Sequence, residues 1–413
     1  MLKQFIFAVM LLITGVSIAQ NGTTSPYSFF GIGEQKFKGT AENRAMGGLS
    51  VYSDSIHLNI QNPASVAKLQ LVNYAISGSY KYVTQKTETE TQDATSTTLD
   101  YLAIGIPMGK FGVSIGILPF STVGYNLETV TDSVISQYSG TGGLNKVFMA
   151  VAYQFTPKFA FGIDANYNFG NIEKKVLIDE FDNQFGTREV LRSDLMGFSF
   201  NFGAEYKTKV NEYLELTTMA TYSPATNFTV KGNRTLSTVL LSDDGSVAPV
   251  DFRITNLDDV TIKFPSQITL GAGIGESKDW FIGAQYSNVK ISNFNDPILN
   301  VGTVEFIDAN RYRIGGFFIP NYNSLSSYWH RVVYRAGARY EENGINVAGE
   351  DINEFGISFG VGLPVGRFYS NFNIGFELGS RGTTNSGLLK ENFFNTFISI
   401  SLNDKWFEKR YID

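Results

Sequence analysis

Residues 158–171 read KFAFGIDANYNFGN. Phe159, Phe161, Ile163, Ala165, Tyr167 and Phe169 alternate with Ala160, Gly162, Asp164, Asn166, Asn168 and Gly170, the period of two that sends side chains to opposite faces of a sheet. One face is oily and aromatic; the other is small or polar. The pattern returns in LMGFSFNFGAEY (195–206) and in RFYSNFNIGFELG (367–379). A soluble sandwich also alternates, but its strands run about five or six residues and its wet face carries Lys and Glu. Here the segments run about 10 to 20 residues, and the polar face is Gly, Ser and Asn. That fits an all-β transmembrane antiparallel barrel, whose strands need about 9 to 11 residues to cross and alternate lipid-facing with lumen-facing side chains.

Working outward, about fourteen such segments follow one another from 70–85 to 391–405, an even number as a single-chain bacterial barrel requires. Tight connections such as Pro107-Met108-Gly109-Lys110, Thr156-Pro157 and Glu276-Ser277-Lys278 alternate with long ones at 86–97, 129–142, 178–187, 233–255, 295–303 and 381–390. Short turns face the periplasm and long loops the outside. PNYNSLSSY (320–328) falls in a turn position and is longer than its siblings. Rings at Tyr74, Trp280, Tyr286, Tyr334, Tyr340 and Trp406 are expected near the membrane interfaces.

One strand carries a fault. In FGVSIGILPFSTVGYNL (111–127) the alternation of Phe111, Val113, Ile115 and Ile117 meets Pro119, which donates no ladder hydrogen bond. Pairing is expected to fail from Pro119 to Thr122, with Gly124 nearby, and to recover before Asn126. Leu118 and Phe120 flank the break, and the segment that precedes the strands is expected to support it, with the hydroxyls of Ser121 and Thr122 available to satisfy the backbone. A simple bulge without a passage is the alternative.

Before the strands, Lys3 precedes an apolar run from Phe5 to Val16 and the small residues Ser17-Ile18-Ala19, a secretory signal peptide over 1–19 with Gln20 as the mature terminus. The run is short of the roughly 20 residues that span a bilayer. The chain has no cysteine, so neither a disulfide nor a lipid anchored through cysteine is available. Residues 20–69 hold glycines and prolines that break long elements, yet Phe29, Phe30, Leu49 and Leu58 need burial, which predicts a plug inside the barrel of residues 70–407, followed by a short periplasmic tail at 408–413.

The 413 residues carry 33 Lys and Arg, one of them Lys3, against 39 Asp and Glu, with no basic aromatic patch, which argues against nucleic acid. The only histidines are His57 and His330. No metal cluster, cofactor site or His-based nucleophile pair assembles from them, so the expectation is a non-enzyme.

Several motifs carry a family resemblance. NRAMGGLSVYSDSIHLNIQNPASVAKL (43–69) sets a Gly-rich stretch before Asn62-Pro63-Ala64, and KFPSQITLGAGIGESKDWFIGAQYSNVKISNF (263–294) enters a strand through Phe-Pro. The chain resembles the FadL-type outer-membrane transport proteins over its whole mature length, and its opening SPYSFFGIGE (25–34) and ending SISLNDKWFEKRYID (399–413) resemble the Bacteroidetes branch. The charged tail after Phe407 departs from a barrel ending on an aromatic residue. The resemblance implies a plugged barrel in the outer membrane of a Gram-negative cell, surrounded by its lipid, taking up hydrophobic, fatty-acid-like molecules and releasing them sideways where the third strand kinks.

By parity Arg311, Arg313, Arg331, Arg335, Arg339, Glu354, Arg367 and Glu377 share the inward face. They would either bind a carboxylate cargo or brace the wall and anchor the plug as ion pairs. Two functions stay open: a passive conduit for hydrophobic small molecules, or a non-transporting barrel that binds protein partners in an envelope or type IX secretion assembly.

Overall fold

Fourteen antiparallel strands close the wall. The computed structural model describes residues 22–242, 246–294, 304–365 and 370–405. The signal peptide, Gln20, Arg367, Trp406, the loop at 295–303 and the tail at 408–413 lie outside the described residues. The strands are β1 (Val72–Lys86), β2 (Thr91–Met108), β3 (Phe111–Val130), β4 (Val134–Gln154), β5 (Phe159–Glu180) and β6 (Gly186–Lys209). They continue with β7 (Leu214–Ser223 and Thr226–Leu241), β8 (Val247–Asn256, Val260–Phe264 and Gln267–Glu276) and β9 (Trp280–Val289). β10 (Val304–Phe306 and Ala309–Phe318), β11 (Val333–Val347), β12 (Glu350–Val365), β13 (Ser370–Arg381) and β14 (Lys390–Asp404) complete the order. β14 pairs back onto β1 from Lys390↔Lys86 to Asp404↔Val72, so no sheet edge is left at the seam.

The oily parity points outward. Ile163, Tyr167, Phe198, Phe200, Tyr74, Tyr286, Tyr334 and Tyr340 are exposed, whereas Asp164, Asn166, Asn168, Asn201 and Glu205 are buried. Trp280 is half-buried. The outer loops differ from expectation. β2 begins at Thr91 and β4 at Val134, β7 runs to Leu241, and the hairpins close tightly at 87–90, 131–133 and 348–349. Stretches such as TQDATSTT are polar on both faces and so read as loops. Beyond the bilayer a strand needs no oily face, and β-branched threonine favours the extended backbone.

The N-terminal segment lies against the inward face around the whole wall. It bonds to Gln85 on β1, Thr98 on β2, Asp164 on β5, Glu205 on β6, Gln285 on β9, Ser358 on β12 and Glu377 on β13. Regular structure in it is sparse: 3-10 turns at Pro26–Phe29 and Pro63–Lys68, a bridge at Glu34–Gln35, and the short helix α1 (Ala41–Ala45), capped by a Thr40–Asn43 capping box. Asn62, Pro63 and Ala64 start the second turn, with Asn62 Oδ1 accepting from Ala64 N at 3.1 Å and proline in the first turn, where a missing donor costs nothing.

Wall glycines are the seats of this segment. A Cβ on Gly112 would strike Val66 O, one on Gly162 would strike Pro63, and one on Gly315 or Gly337 would strike Met46. The Gly-rich inward face is therefore a docking surface for backbone, not only an absence of side chains.

Candidate functional site

β3 leaves β2 after the pair Leu102↔Ile117, whereas its ladder with β4 continues to Val130, slipping by one residue at Phe120. β2 carries its own slip at Asp100, between Ser77↔Tyr101 and Gly78↔Leu99. A bulge bends a strand and raises its twist, and here one on each strand drives the two apart. The exposed edge of β3 is taken by the N-terminal segment. Glu34 and Gln35 pair with Thr122 and Ser121, Lys36 N donates to Phe120 O at 3.0 Å, and Gly124 N donates to Ser28 Oγ at 3.1 Å. Across the break, Thr98 Oγ1 on β2 donates to Gly22 O at 3.3 Å, and Gly22 packs against Thr122 on β3. In hydrocarbon an unpaired backbone group costs several kcal/mol, and residues 22–36 supply the missing partners.

The strand does not rejoin β2 before Asn126, because the segment holds the edge that rejoining would need. Support comes from the backbone of residues 34–36 and from Ser28. The hydroxyls of Ser121 and Thr122 are buried without a hydrogen-bond partner. Leu118 is buried in one cluster with Leu58 and Val66. Phe120 meets Phe264 at 5.1 Å between ring centroids and lies 4.4 Å from the Lys146 ammonium.

The inward charges form one network with the segment. Arg339 pairs with Glu377 at 2.7 Å, with Glu341 at 3.4 Å and with Glu354. Arg313 pairs with Glu341 at 2.7 Å and Arg311 with the same carboxylate at 3.7 Å. Arg44 reaches Glu377 at 3.1 Å and Asp100 at 3.8 Å. Arg335 donates to Asn373 Oδ1 at 3.1 Å, and Asn373 donates to Glu42 at 2.9 Å. Arg381 pairs with Glu354 at 2.5 Å, Glu34 at 2.8 Å and Glu391 at 3.4 Å, and Lys81 reaches Glu34 at 3.0 Å. The guanidinium groups of Arg311, Arg313, Arg339 and Arg381 thus face carboxylates of the chain itself, whereas Arg335 donates to an amide and Arg331 lies in the 3-10 turn Trp329–Arg331 ahead of β11 rather than on the wall. Glu341, Arg381 and Glu391 follow from the same inward parity as the residues read from the sequence; Glu34 and Arg44 carry no such signal, since their segment has no period.

Two cavities flank the segment. One of about 330 Å³ holds Pro119, Phe120, Phe264, Lys146 and much of the charged network. The other, of about 990 Å³, opens among the periplasmic turns at Gly109, Lys278 and Pro364. They share no lining residue. At the outer end Tyr27 and Phe30 pack against Val347 and Ile352, and Phe29 and Ile32 pack near Val123 and Tyr125. In the lower cavity His57 Nδ1 stands 2.6 Å from Asp54. Burial opposes the charge on both, yet the pairing prevails: the imidazole is held above its usual value and the carboxyl below.

A second interruption lies between β6 and β7. The pairs stop at Phe202↔Tyr222 and resume at Met196↔Thr229, leaving Gly197 to Asn201 without partners on β7. On the far side of β7 the ladder skips Pro224-Ala225 against Pro265-Ser266. The reasoning that singled out Pro119 would have found both prolines.

A family model, BamG, matches residues 1–413. The chain belongs to the BamG family. No curated protein matches it in sequence. Among solved structures, this BamG-family chain is similar to the CymD monoaromatic hydrocarbon channel, at 13% identity and a TM-score of 0.59, over 90% of this chain and 99% of that one. It is similar to the Ralstonia pickettii toluene transporter TbuX at 15% identity and a TM-score of 0.58, over 89% and 99%. The Pseudomonas putida toluene transporter TodX gives 15% and 0.56, over 90% and 98%. At these identities the likeness establishes only that this chain shares their fold.

Proposed function

We propose that the chain is an outer-membrane barrel that acts by binding other proteins of the envelope rather than by passing cargo through its lumen. The observation that supports this is the triple use of one segment: residues 22–36 fill the β2–β3 break, Tyr27 and Phe30 cap the outer end, and residues 40–69 separate the two cavities. Purification in mild detergent with mass spectrometry of the co-purifying proteins, alongside planar-bilayer conductance, tests it. Stoichiometric protein partners and no unitary conductance are expected, with conductance appearing on deletion of residues 22–36. A wild-type chain that purifies alone and carries a hydrophobic dye across vesicle membranes overturns the reading. The same mass spectra read cleavage after Ala19, which leaves Gln20 two residues before Gly22.

The second reading is a gated conduit for small hydrophobic molecules with lateral exit at β3. It draws on the fold shared with CymD, TbuX and TodX and on the apolar wall of Leu118, Phe120 and Phe264 beside the break. Under it, Pro119→Val lowers uptake while heat resistance is kept; under the partner reading it changes neither.

A further inference from the structure

We infer that the β6–β7 interruption is a lateral binding site, open to the bilayer, for the acyl chain of a membrane amphiphile. The missing pairs run from Gly197 to Asn201, roughly 17 Å of strand at about 3.3 Å per residue. The interruption is closed at its ends. Ser223 Oγ donates to Asn201 Oδ1 at 3.0 Å at the periplasmic side, and the Phe228 ring covers Gly197 at the outer side. Between those ends the inner cavity touches both edges, Ser199 and Phe200 on β6 and Pro224 and Thr226 on β7. Phe200 is 41% exposed and faces outward, so a single residue borders both the cavity and the lipid.

Three features make this a built opening rather than frayed pairing. Pro224 on β7 and Pro265 on β8 stand one register step apart, Pro224 at the level of Ser266 and Pro265 at the level of Ala225, where neither can donate to a ladder. Two carbonyls of the unpaired stretch are satisfied from inside, Gly197 O by Asn168 Nδ2 at 3.2 Å and Ser199 O by Asn166 Nδ2 at 3.3 Å. An aromatic path then leads inward, Phe264 stacking on Phe228 at 4.9 Å and meeting Phe120 at 5.1 Å.

The occupant follows from the depth. Outward-facing Phe198 and Phe200 flank the opening on β6 and Tyr222 on β7, whereas the outward charges Asp194 and Lys231 come only a few residues further out. The opening therefore meets the outer hydrocarbon layer, where the surrounding solvent is acyl chain. A cavity of about 330 Å³ lies at the lower end of the range for small-ligand sites and takes part of one chain. The β2–β3 break, by contrast, is already filled by the chain's own N-terminal segment.

The test is a fluorescence reporter inside the cavity. Phe264→Trp is placed in a chain whose Trp280, Trp329 and Trp406 are changed to Phe, reconstituted in vesicles of brominated phosphatidylcholine, or in plain vesicles with dibromostearate added. Phe198→Trp, on the lipid side, is the positive control. The reporter at Phe264 is expected to lose a comparable share of its emission. Because the chain has no cysteine, Ser199→Cys with Thr226→Cys puts two thiols on the facing edges of the opening, where a bis-methanethiosulfonate reagent forms one reversible staple across it. Stapling should cut the quenching several-fold, and reduction should restore it in the same folded sample. Quenching by the brominated lipid assigns the chain to the bilayer, and quenching by dibromostearate alone assigns it to a free fatty acid; either upholds the site. No quenching from either source, or quenching indifferent to the staple, overturns it.

Discussion

Arg381 Nη2 lies 2.8 Å from Glu34 Oε1, tying β13 to the residue pair that covers the edge of β3. The same guanidinium holds Glu354 and Glu391, and all four side chains are buried. Removing one partner of a buried pair strands the others, at about 3–5 kcal/mol. Arg381→Met should therefore lower the temperature at which the barrel loses its heat-modifiable mobility on gels. Lys81→Met, which leaves Glu34 its arginine, should lower it less. Equal losses would mean that the network is not centred on Arg381.

Gly112→Val should unseat the turn at Pro63–Lys68 while the wall still closes. The new side chain would meet the Val66 carbonyl, a backbone atom that cannot swing aside, at about 3 kcal/mol, the upper end of overpacking. Limited trypsin digestion should then cut after Lys68. Gly78→Ala, whose new methyl would meet only Thr98 O at 3.4 Å, should leave that bond protected.

Thr122→Val should raise stability. The Thr122 hydroxyl is buried without a partner, so its desolvation is uncompensated, and an isosteric methyl removes a cost of about 1 kcal/mol. Thermal unfolding in detergent measures it; a loss of stability would show that the hydroxyl is bonded after all.

The His57–Asp54 pair should make the segment's hold depend on pH. The imidazole value is raised on folding, so its contribution is complete below about pH 6.5 and fades as pH rises through the folded value. The Asp54 value is lowered, so its contribution is present above about pH 3.9 and is lost as pH falls through the folded value. Asn371, Glu42 and Arg335 are the other groups around the ring. His57→Gln should cost most near pH 5.5 and least near pH 9, read as the difference in melting temperature from wild type.

What the sequence made legible was the wall within the bilayer, because lipid on one side and lumen on the other impose a strict period of two. Phe198 against Ser199 or Ile163 against Asp164 settles a face without any partner being known. Outside the bilayer that constraint lapses, and Thr91 to Thr98 looked like loop. The charged network was half legible: Arg339, Glu354 and Glu377 follow from parity, whereas Glu34 and Arg44 belong to a segment whose conformation is dictated by its seats. The break at β3 follows from Pro119, and so does its support by the N-terminal segment, but the residues of that segment that fill it do not. Nothing local in Glu34-Gln35 announces that it will serve as an edge strand for Ser121 and Thr122.

The glycine seats also set an order of events. A turn that fits only against Gly112, Gly162 and Gly203, and a carboxylate at Glu34 that waits for Lys81 on the first strand and Arg381 on the next to last, cannot be installed after the cylinder has closed. The earliest part of the chain must remain unsettled until its most distant partners arrive, and contacts of such long sequence separation form slowly. In the wild-type chain, zipping of β14 onto β1 would thus be the last step, taken after the N-terminal segment is threaded.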